Sequence, residues 1–397
     1  MGIFGKRETK ASRVGRLMSV EALGRPVWTP RDYASLAQEG FAKNPIVFRS
    51  VRMIAEAAAS APWLLYQGER EVENHPLLDM LKRPNPAQPG VSLMETIYGH
   101  LMVAGNAYLE VVMLDGAPRE LFALRPDRMK VIAGPDGWPQ AFDYQVAGRT
   151  VRFQQDGVVP PVLHLSLFHP LNDHYGFAPI EAAQTSLDIH NASGAWSKAL
   201  LDNSARPSGA LVYSGEGHLN DEQFERLKAE LEDGYQGARN AGRPLLLEGG
   251  LDWKTMAMSP RDMEFIEAKN QAAREIALAF GVPPMLLGIP GDNTYANYRE
   301  ANRAFWRQTV LPLVNRTVQA MGNWLTAAYE PGLRLAFDSD GVEALSVERD
   351  ALWERVMAAD FLTRDEKRAA VGYGVLAGET GAGGGAADAG GGDAVPD

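Results

Sequence analysis

Apolar side chains recur at helical spacing in several stretches of this chain and alternate with polar ones in the shorter stretches between them. Ile46, Val47, Val51, Ile54 and Ala58 share one side of a helix opened by Asn44-Pro45 and ended by Pro62. Trp63-Leu64-Leu65-Tyr66 reads as a strand. Ser92 with Glu95 predicts a capping box for a second helix through about Ala104, followed by Gly105-Asn106 and a strand over Ala107–Leu114. From Leu121 to Leu167, short alternating runs are separated by turns such as Gly134-Pro135-Asp136-Gly137, the pattern of a small β-rich unit. The first ~175 residues therefore read as a mixed α+β domain.

The next helix runs from about Pro179 to Asn203, with Ile180, Ala183, Leu187, Ala195, Ala199 and Leu200 as its less polar face. Arg206-Pro207-Ser208-Gly209 ends it. Leu211-Val212-Tyr213 predicts a strand, Asn220 with Gln223 caps a charged helix to about Tyr235, and strands follow at Pro244–Leu247 and Leu251–Met256. Ser259, with Pro260 at the first helical position, opens a helix to Phe280 whose apolar set is Phe265, Ile266, Ala272, Ala273, Ile276, Ala277 and Phe280. Two helices of roughly 25 residues, each ~35 Å long at 1.5 Å per residue, thus bracket a compact α/β insertion at 207–258.

That second helix is stopped hard by Phe280-Gly281-Val282-Pro283-Pro284. An apolar brace, Met285-Leu286-Leu287-Gly288, precedes the short polar loop Gly291-Asp292-Asn293-Thr294. A long aromatic-rich helix then spans about Tyr295 to Tyr329, on the order of 50 Å. Pro312 lies well inside it and predicts a kink near Gln308–Leu311, because proline removes a backbone donor and clashes with the preceding turn. A strand at Leu333–Phe337 and two short helices follow, Ser346 to about Ala359 and one capped by Thr363 with Glu366. A stop, a brace, a loop and a kinked helix together form a device that presents a loop from a rigid frame.

Composition adds limits. The 397 residues are 45% hydrophobic and 22% charged, ordinary for a globular protein with a real core. From Ala377 onward the chain is mostly Gly and Ala with a few acids, a composition expected of a flexible tail. The absence of cysteine excludes disulfides, thiolate metal sites and cysteine nucleophiles. No apolar run approaches the ~20 residues needed to span a bilayer. Met1-Gly2-Ile3-Phe4-Gly5-Lys6-Arg7 lacks the apolar core of a signal peptide, and the residues after Gly2 do not match the myristoylation pattern. A net charge of −11 argues against gripping nucleic acid through many phosphate contacts, though not against surrounding it. Lys6, Arg7, Lys10, Arg13, Arg16, Arg25 and Arg31 make the start basic, as in a solvated arm or one that docks on an acidic partner.

Catalytic chemistry is sought and mostly not found. His164, His169 and His174 are spaced five apart, share no helical face and match no metal pattern, so they are expected to be structural. Asp173 and His174 offer the one polar pair for a metal-dependent hydrolase, without an evident third partner. No phosphate-binding glycine loop, nucleophile elbow or dinucleotide fingerprint is present in the sequence. Glu225, Glu230, Glu232 and Asp233 follow the solvated faces of a helix rather than a pocket that would shift their pKa. Trp196 and Trp306 are expected to pack. These absences point to a structural or assembly protein.

Ordered segments carry a resemblance. They are Asn44 to Pro62; His75-Pro76-Leu77-Leu78 with Pro84-Asn85-Pro86; Gly105-Asn106-Ala107-Tyr108; Gly176-Phe177-Ala178-Pro179-Ile180; and Asn203-Ser204-Ala205-Arg206-Pro207-Ser208-Gly209. Gly242 to Leu251 and Phe280-Gly281-Val282-Pro283-Pro284 complete the set. In this order, over roughly residues 40–375, the chain resembles the portal protein family of long-tailed bacteriophages, and its compact length is similar to portals of bacterial gene transfer agents. The resemblance implies an α+β portal fold: a flexible basic N-terminal arm at 1–40, a wing at 41–177, and a first stem helix at 178–206. A clip at 207–258, a second stem helix at 259–281 and a tunnel-loop region at 282–294 follow. The long kinked helix and returning wing strand occupy 295–340, a small helical crown 341–376, and a disordered tail 377–397.

By the same resemblance the chain assembles as a ring, typically of twelve subunits, at one capsid vertex of a virion or gene transfer agent particle built in the bacterial cytoplasm. Double-stranded DNA is packaged and ejected through it without sequence specificity. The implied partners are other copies of the chain, the major capsid protein, the terminase large subunit and a head–tail adaptor, with no membrane, no metal, no cofactor and no catalytic residue. Gly291, Asp292, Asn293 and Thr294 take the tunnel-loop position, with Gly281, Pro283, Pro284 and Pro312 as brace and hinge. Glu222, Glu225, Glu230 and Asp233 take the clip docking surface. Small residues on the stem helices (Ala182, Ala183, Ala192, Ala195; Ala268, Ala272, Ala273, Ala277, Ala279) are expected to admit close neighbouring subunits. An acidic wall favours sliding of a polymer that carries one charge per ~1.7 Å. Another capsid-vertex adaptor or a scaffolding protein is the alternative reading, and a metal-dependent hydrolase using Asp173 and His174 is the one of a different class.

Overall fold

The computed structural model describes residues 29, 30, 32–202, 209–213, 222, 225–226, 251–255, 265–291 and 295–372. Helix α1 (Pro45–Ala59) begins as its sequence dictates. The Asn44 side-chain oxygen accepts from the amides of Ile46 and Val47 at 3.0 and 3.1 Å, two of the donors a helix leaves without partners at its start. Val47, Val51, Ile54 and Ala58 are buried, so the inward face is the one the periodicity marks. Strand β1 (Trp63–Gln67) follows and pairs antiparallel with the short β2 (Arg70–Glu71) and with the distant β11 (Leu333–Phe337), Leu65 opposite Leu335. The long-range closure joins the two ends of the fold into one core.

Helix α2 (Pro76–Lys82) leads to α3 (Gly90–Ala104), which corrects one expectation. No Ser92–Glu95 capping box forms: α3 starts three residues earlier, with Pro89 at the cap, and Ser92 lies within the first turn, its carbonyl accepting from the Thr96 hydroxyl at 2.9 Å. The cause is tertiary. A Cβ on Gly90 would stand 2.0 Å from the Leu81 carbonyl oxygen, so a glycine is needed where the helix begins against α2.

Strand β3 (Asn106–Leu114) lies between β4 (Ala117–Leu124) and β8 (Val162–Ser166), while β5 (Met129–Ala133), β6 (Pro139–Val146) and β7 (Arg149–Gln154) form a second antiparallel meander. Tyr108, Leu124, Met129, Phe142 and Val162 form a small separate core between these sheets. At their root Gly105 has φ +68° and lies so close to Gly176 that neither position has room for a Cβ. The buried Asn106 bridges them: its oxygen accepts from the Gly176 amide at 2.7 Å and faces His164 Nε2 at 2.9 Å. His164 stacks on Tyr108 with centroids 4.4 Å apart, a structural histidine as expected.

The next helix is not continuous from Pro179. A turn at Pro179–Ala182 breaks at Ala183 (φ −87°, ψ 3°) before α4 (Gln184–Asp202). Helix α4 packs on α5 (Phe265–Ala279), with Trp196 stacked on Phe265 at 4.0 Å and the Ser186 hydroxyl donating to Glu275 at 2.5 Å. That bond, helped by Gln271, holds the Glu275 carboxyl below its ordinary pKa. Between the helices β9 (Gly209–Tyr213) pairs antiparallel with β10 (Leu251–Thr255). The expected strand at Pro244–Leu247 and the Asn220–Gln223 cap lie outside the described residues.

Burial revises the stem faces. Ile266, expected inside, is exposed, as are Ala195 and Ala199. Ala183, Ala272, Ala273 and Ala277 are buried within the chain rather than free for a neighbour, while Ala182, Ala192, Ala195 and Ala268 are exposed.

The long helix is three pieces: α6 (Tyr295–Phe305), a π-helical turn (Trp306–Val310) and α7 (Leu311–Leu325). The break falls where Pro312 predicts one, but its form differs from a simple kink. The Leu311 amide reaches back to the Trp306 carbonyl, and Pro312 falls in the first turn of α7, where a missing donor is tolerated. Helix α7 lies on β11 and is pinned by Trp324 Nε1, which donates to the Pro160 carbonyl at 2.7 Å. Two short helices close the described chain, α8 (Ser346–Ala358) and α9 (Arg364–Ala370), the latter opened by the expected Thr363–Glu366 capping box.

Candidate functional site

The stop of α5 is built from backbone chemistry. Gly281 takes φ +66°, its amide bonds to the Leu278 carbonyl at 3.0 Å, and the Val282 amide bonds to the Ala277 carbonyl at 2.9 Å. This left-handed ending satisfies helix-end carbonyls that would otherwise lack donors. Phe280 and Val282, on either side, are buried and fix the direction in which the chain leaves. Pro283 is extended, and Pro284–Leu287 make one tight 3-10 turn.

Gly288, at φ +71°, then reverses the chain so that it runs back along α5. Ile289 enters the gap left by Ala273 and Ala277, whose spacing of four puts them on one face, and is completed there by Ile46 and Leu287. The Pro290 carbonyl lands beneath Arg274, whose Nη2 donates to it. Gly291 is exposed at this point, and a Cβ there would stand 3.4 Å from the same guanidinium nitrogen. Asp292, Asn293 and Thr294 lie outside the described residues. On the other side, Thr309 in the π-helical turn donates its hydroxyl to the Gly281 carbonyl at 2.6 Å.

Gly281, Pro283, Pro284 and Gly291 therefore belong to one continuous structure, while Pro312 lies one turn beyond Thr309 in α7. Glu222 and Glu225 are helical and exposed; Glu230 and Asp233 lie outside the described residues. Sequence reasoning missed Arg274, Ile289 and Thr309. The Ala273/Ala277 pair flanking Arg274 is the available signal, and what it admits is Ile289 of the same chain rather than a neighbouring subunit.

Catalytic geometry does not assemble. Among the described residues no three His, Cys, Asp or Glu side chains converge as a metal site, and the buried His174 Nδ1 has no hydrogen-bond partner. A cavity of ≈590 Å³ lies between α8 and α9, away from Asp173 and His174, and its lining includes Trp353, Val356, Met357 and Leu362 with Arg364 and Lys367. Among the described residues no helix is long and apolar enough to cross a membrane.

The family model described as phage portal protein matches residues 45–372. The chain belongs to the phage portal protein family. Within it, the neck of an empty GTA particle in C6 symmetry contains a chain 56% identical to this one, with a TM-score of 0.70 over 89% of this chain and 97% of that one. A protein of Rickettsia bellii (strain RML369-C) is 42% identical over 339 residues, 84% of this chain and 88% of its own length. An HK97 family phage portal protein from Corynebacterium diphtheriae shares the fold at 16% identity, with a TM-score of 0.56 over 82% of this chain and 98% of that one. Portal membership makes the chain a structural component of a capsid and not an enzyme.

Proposed function

We propose that this chain is the subunit of a closed ring at one capsid vertex, the channel through which double-stranded DNA enters a particle of gene-transfer-agent type and leaves it. The likeness to the GTA neck, over nearly the whole of both chains, carries the reading. A related solved chain comes from the neck of a native GTA particle in C12 symmetry, which favours twelve subunits. The stem helix adds support. Ile266 and Leu278 are 81% and 78% exposed on α5, large apolar groups suited to burial by adjacent copies.

In this reading residues 41–177 with β11 form the wing, α4 and α5 the stem, 207–258 the clip, and α8 with α9 the crown. The segment from Gly291 to Thr294 lines the channel with short polar groups. The net charge of −11 keeps the wall from holding phosphates, so DNA slides. The terminase large subunit docks at the clip, where Glu222, Glu225, Glu230 and Asp233 provide charge. The wing meets the major capsid protein, and a head–tail adaptor completes the vertex.

Native mass spectrometry and class averages of the purified chain, under conditions that support assembly, should give closed rings; monomers and small dimers alone would overturn the proposal. Shortening Gly291–Thr294 should leave rings intact and lower the DNA-filled fraction of particles. Loss of the rings themselves would place that segment in the subunit interface instead.

A further inference from the structure

We propose that Arg274 is a positioning residue that ties the root of the loop, at Pro290–Gly291, to the stem helix α5, so that the loop is carried by the stem. The inference rests on the channel-loop reading for its purpose, but its geometry stands on its own.

Three observations converge on this point. The reversal at Gly288 and the insertion of Ile289 beside Ala273 and Ala277 bring the chain back along α5, against the direction in which it left. The Arg274 guanidinium then donates to the Pro290 carbonyl, the last residue before Gly291. A charged donor makes a stronger hydrogen bond than a neutral one, and the planar head has further donors on its remaining edges. Gly291 itself sits against the same head, close enough that any side chain there would touch it. A cation thus stands at the root of a loop whose own residues carry none.

The other end of the frame is fixed differently. Thr309 bonds the Gly281 carbonyl, so the long helix is latched to the stop of α5. The Pro290 carbonyl is bonded to a side chain of the stem helix itself. A displacement of α5 would therefore be passed to the loop through Ile289 and Arg274. The hydrophobic contact resists separation but has no directional preference, so the hydrogen bond sets the orientation in which the chain enters the loop.

The test uses full-length assembled rings. R274M keeps the length and apolar stem of the side chain and removes the donors; R274K keeps a donor. Hydrogen exchange of the Gly288, Ile289 and Gly291 amides should rise about ten-fold in R274M, with R274K much closer to the wild type, while exchange in α4 and α7 is unchanged. Ring formation should be unaffected, because Arg274 is only partly buried. Should R274M not form rings, R274Q, too short to reach the carbonyl, is read in the same way. Unchanged exchange at Gly288, Ile289 and Gly291, or an equal rise in R274K, would overturn the proposal. In particles, R274M should lower the DNA-filled fraction. A raised exchange with normal filling would support the tether and overturn the channel-loop reading on which its purpose rests.

Discussion

The Thr309 hydroxyl donates to the carbonyl of Gly281 at 2.6 Å, so the residue that ends the stem helix is also the point where the long helix is latched to it. Neither residue can change without the other registering it.

Gly281→Ala should destabilise the chain by about 1–2 kcal/mol for its left-handed backbone alone, because Gly281 has φ +66°. Its new Cβ would also lie 2.7 Å from Thr309 Oγ1 and push the hydroxyl away. Thr309→Val removes the hydrogen bond and should cost about 1 kcal/mol. The double variant should lose less than the sum, since both changes break one contact. Urea unfolding of the three variants checks this, and strict additivity would show that the Gly281 substitution does not act through the Thr309 hydrogen bond.

Gly176→Ala and Gly99→Ala should act in opposite directions. A Cβ on Gly176 would meet the Gly105 carbonyl oxygen at 2.1 Å and the Leu167 amide nitrogen at 2.6 Å, backbone atoms that cannot rotate aside. A loss of about 3 kcal/mol or more is expected. Gly99 lies inside α3 with nothing within 4 Å of its Cβ position. Alanine there should stabilise the helix by roughly 0.5–1 kcal/mol. Thermal melts of the pair, with the direction of each shift, decide the matter.

Burial lowers His100 and His164 from 6.5 to about 4, His164 with a further push from His174. Both rings stay neutral in the folded chain where the unfolded chain charges them, so the unfolded state binds more protons between those two values. Stability from these groups is complete above pH 6.5 and is lost as the pH falls toward 4. The urea midpoint should drop steadily across that window, and His164→Gln should flatten the slope. A midpoint that rises on acidification would contradict the burial of both rings.

Much of this architecture is legible because its signals are local. Asn44-Pro45 opens α1 and Thr363 with Glu366 opens α9 through groups two or three residues apart, so short sequence is enough to specify both starts. The Ser92–Glu95 pair has the same local form and fails, because Gly90 is pressed against the Leu81 carbonyl and the helix has already begun. Pro312 marks the position of a break correctly, while its form, a π-helical turn that aims Thr309 at Gly281, depends on a partner 28 residues away. The burial of Ala273 and Ala277 follows from Ile289, which reaches them only after Gly288 reverses the chain.

The sequence by itself determined where α1 and α9 start and where α5 stops, that a polar loop without Lys or Arg follows the stop at Gly281, and which family the ordered segments match. Those properties are fixed by backbone conformations and capping groups that neighbouring residues supply. The tertiary structure alone decided that β11 closes on β1, that several stem alanines pack inside their own chain, and that Arg274 stands at the root of the loop. Each of these is a contact between residues distant along the chain, formed only once helices and strands have packed, and no local pattern specifies the partner.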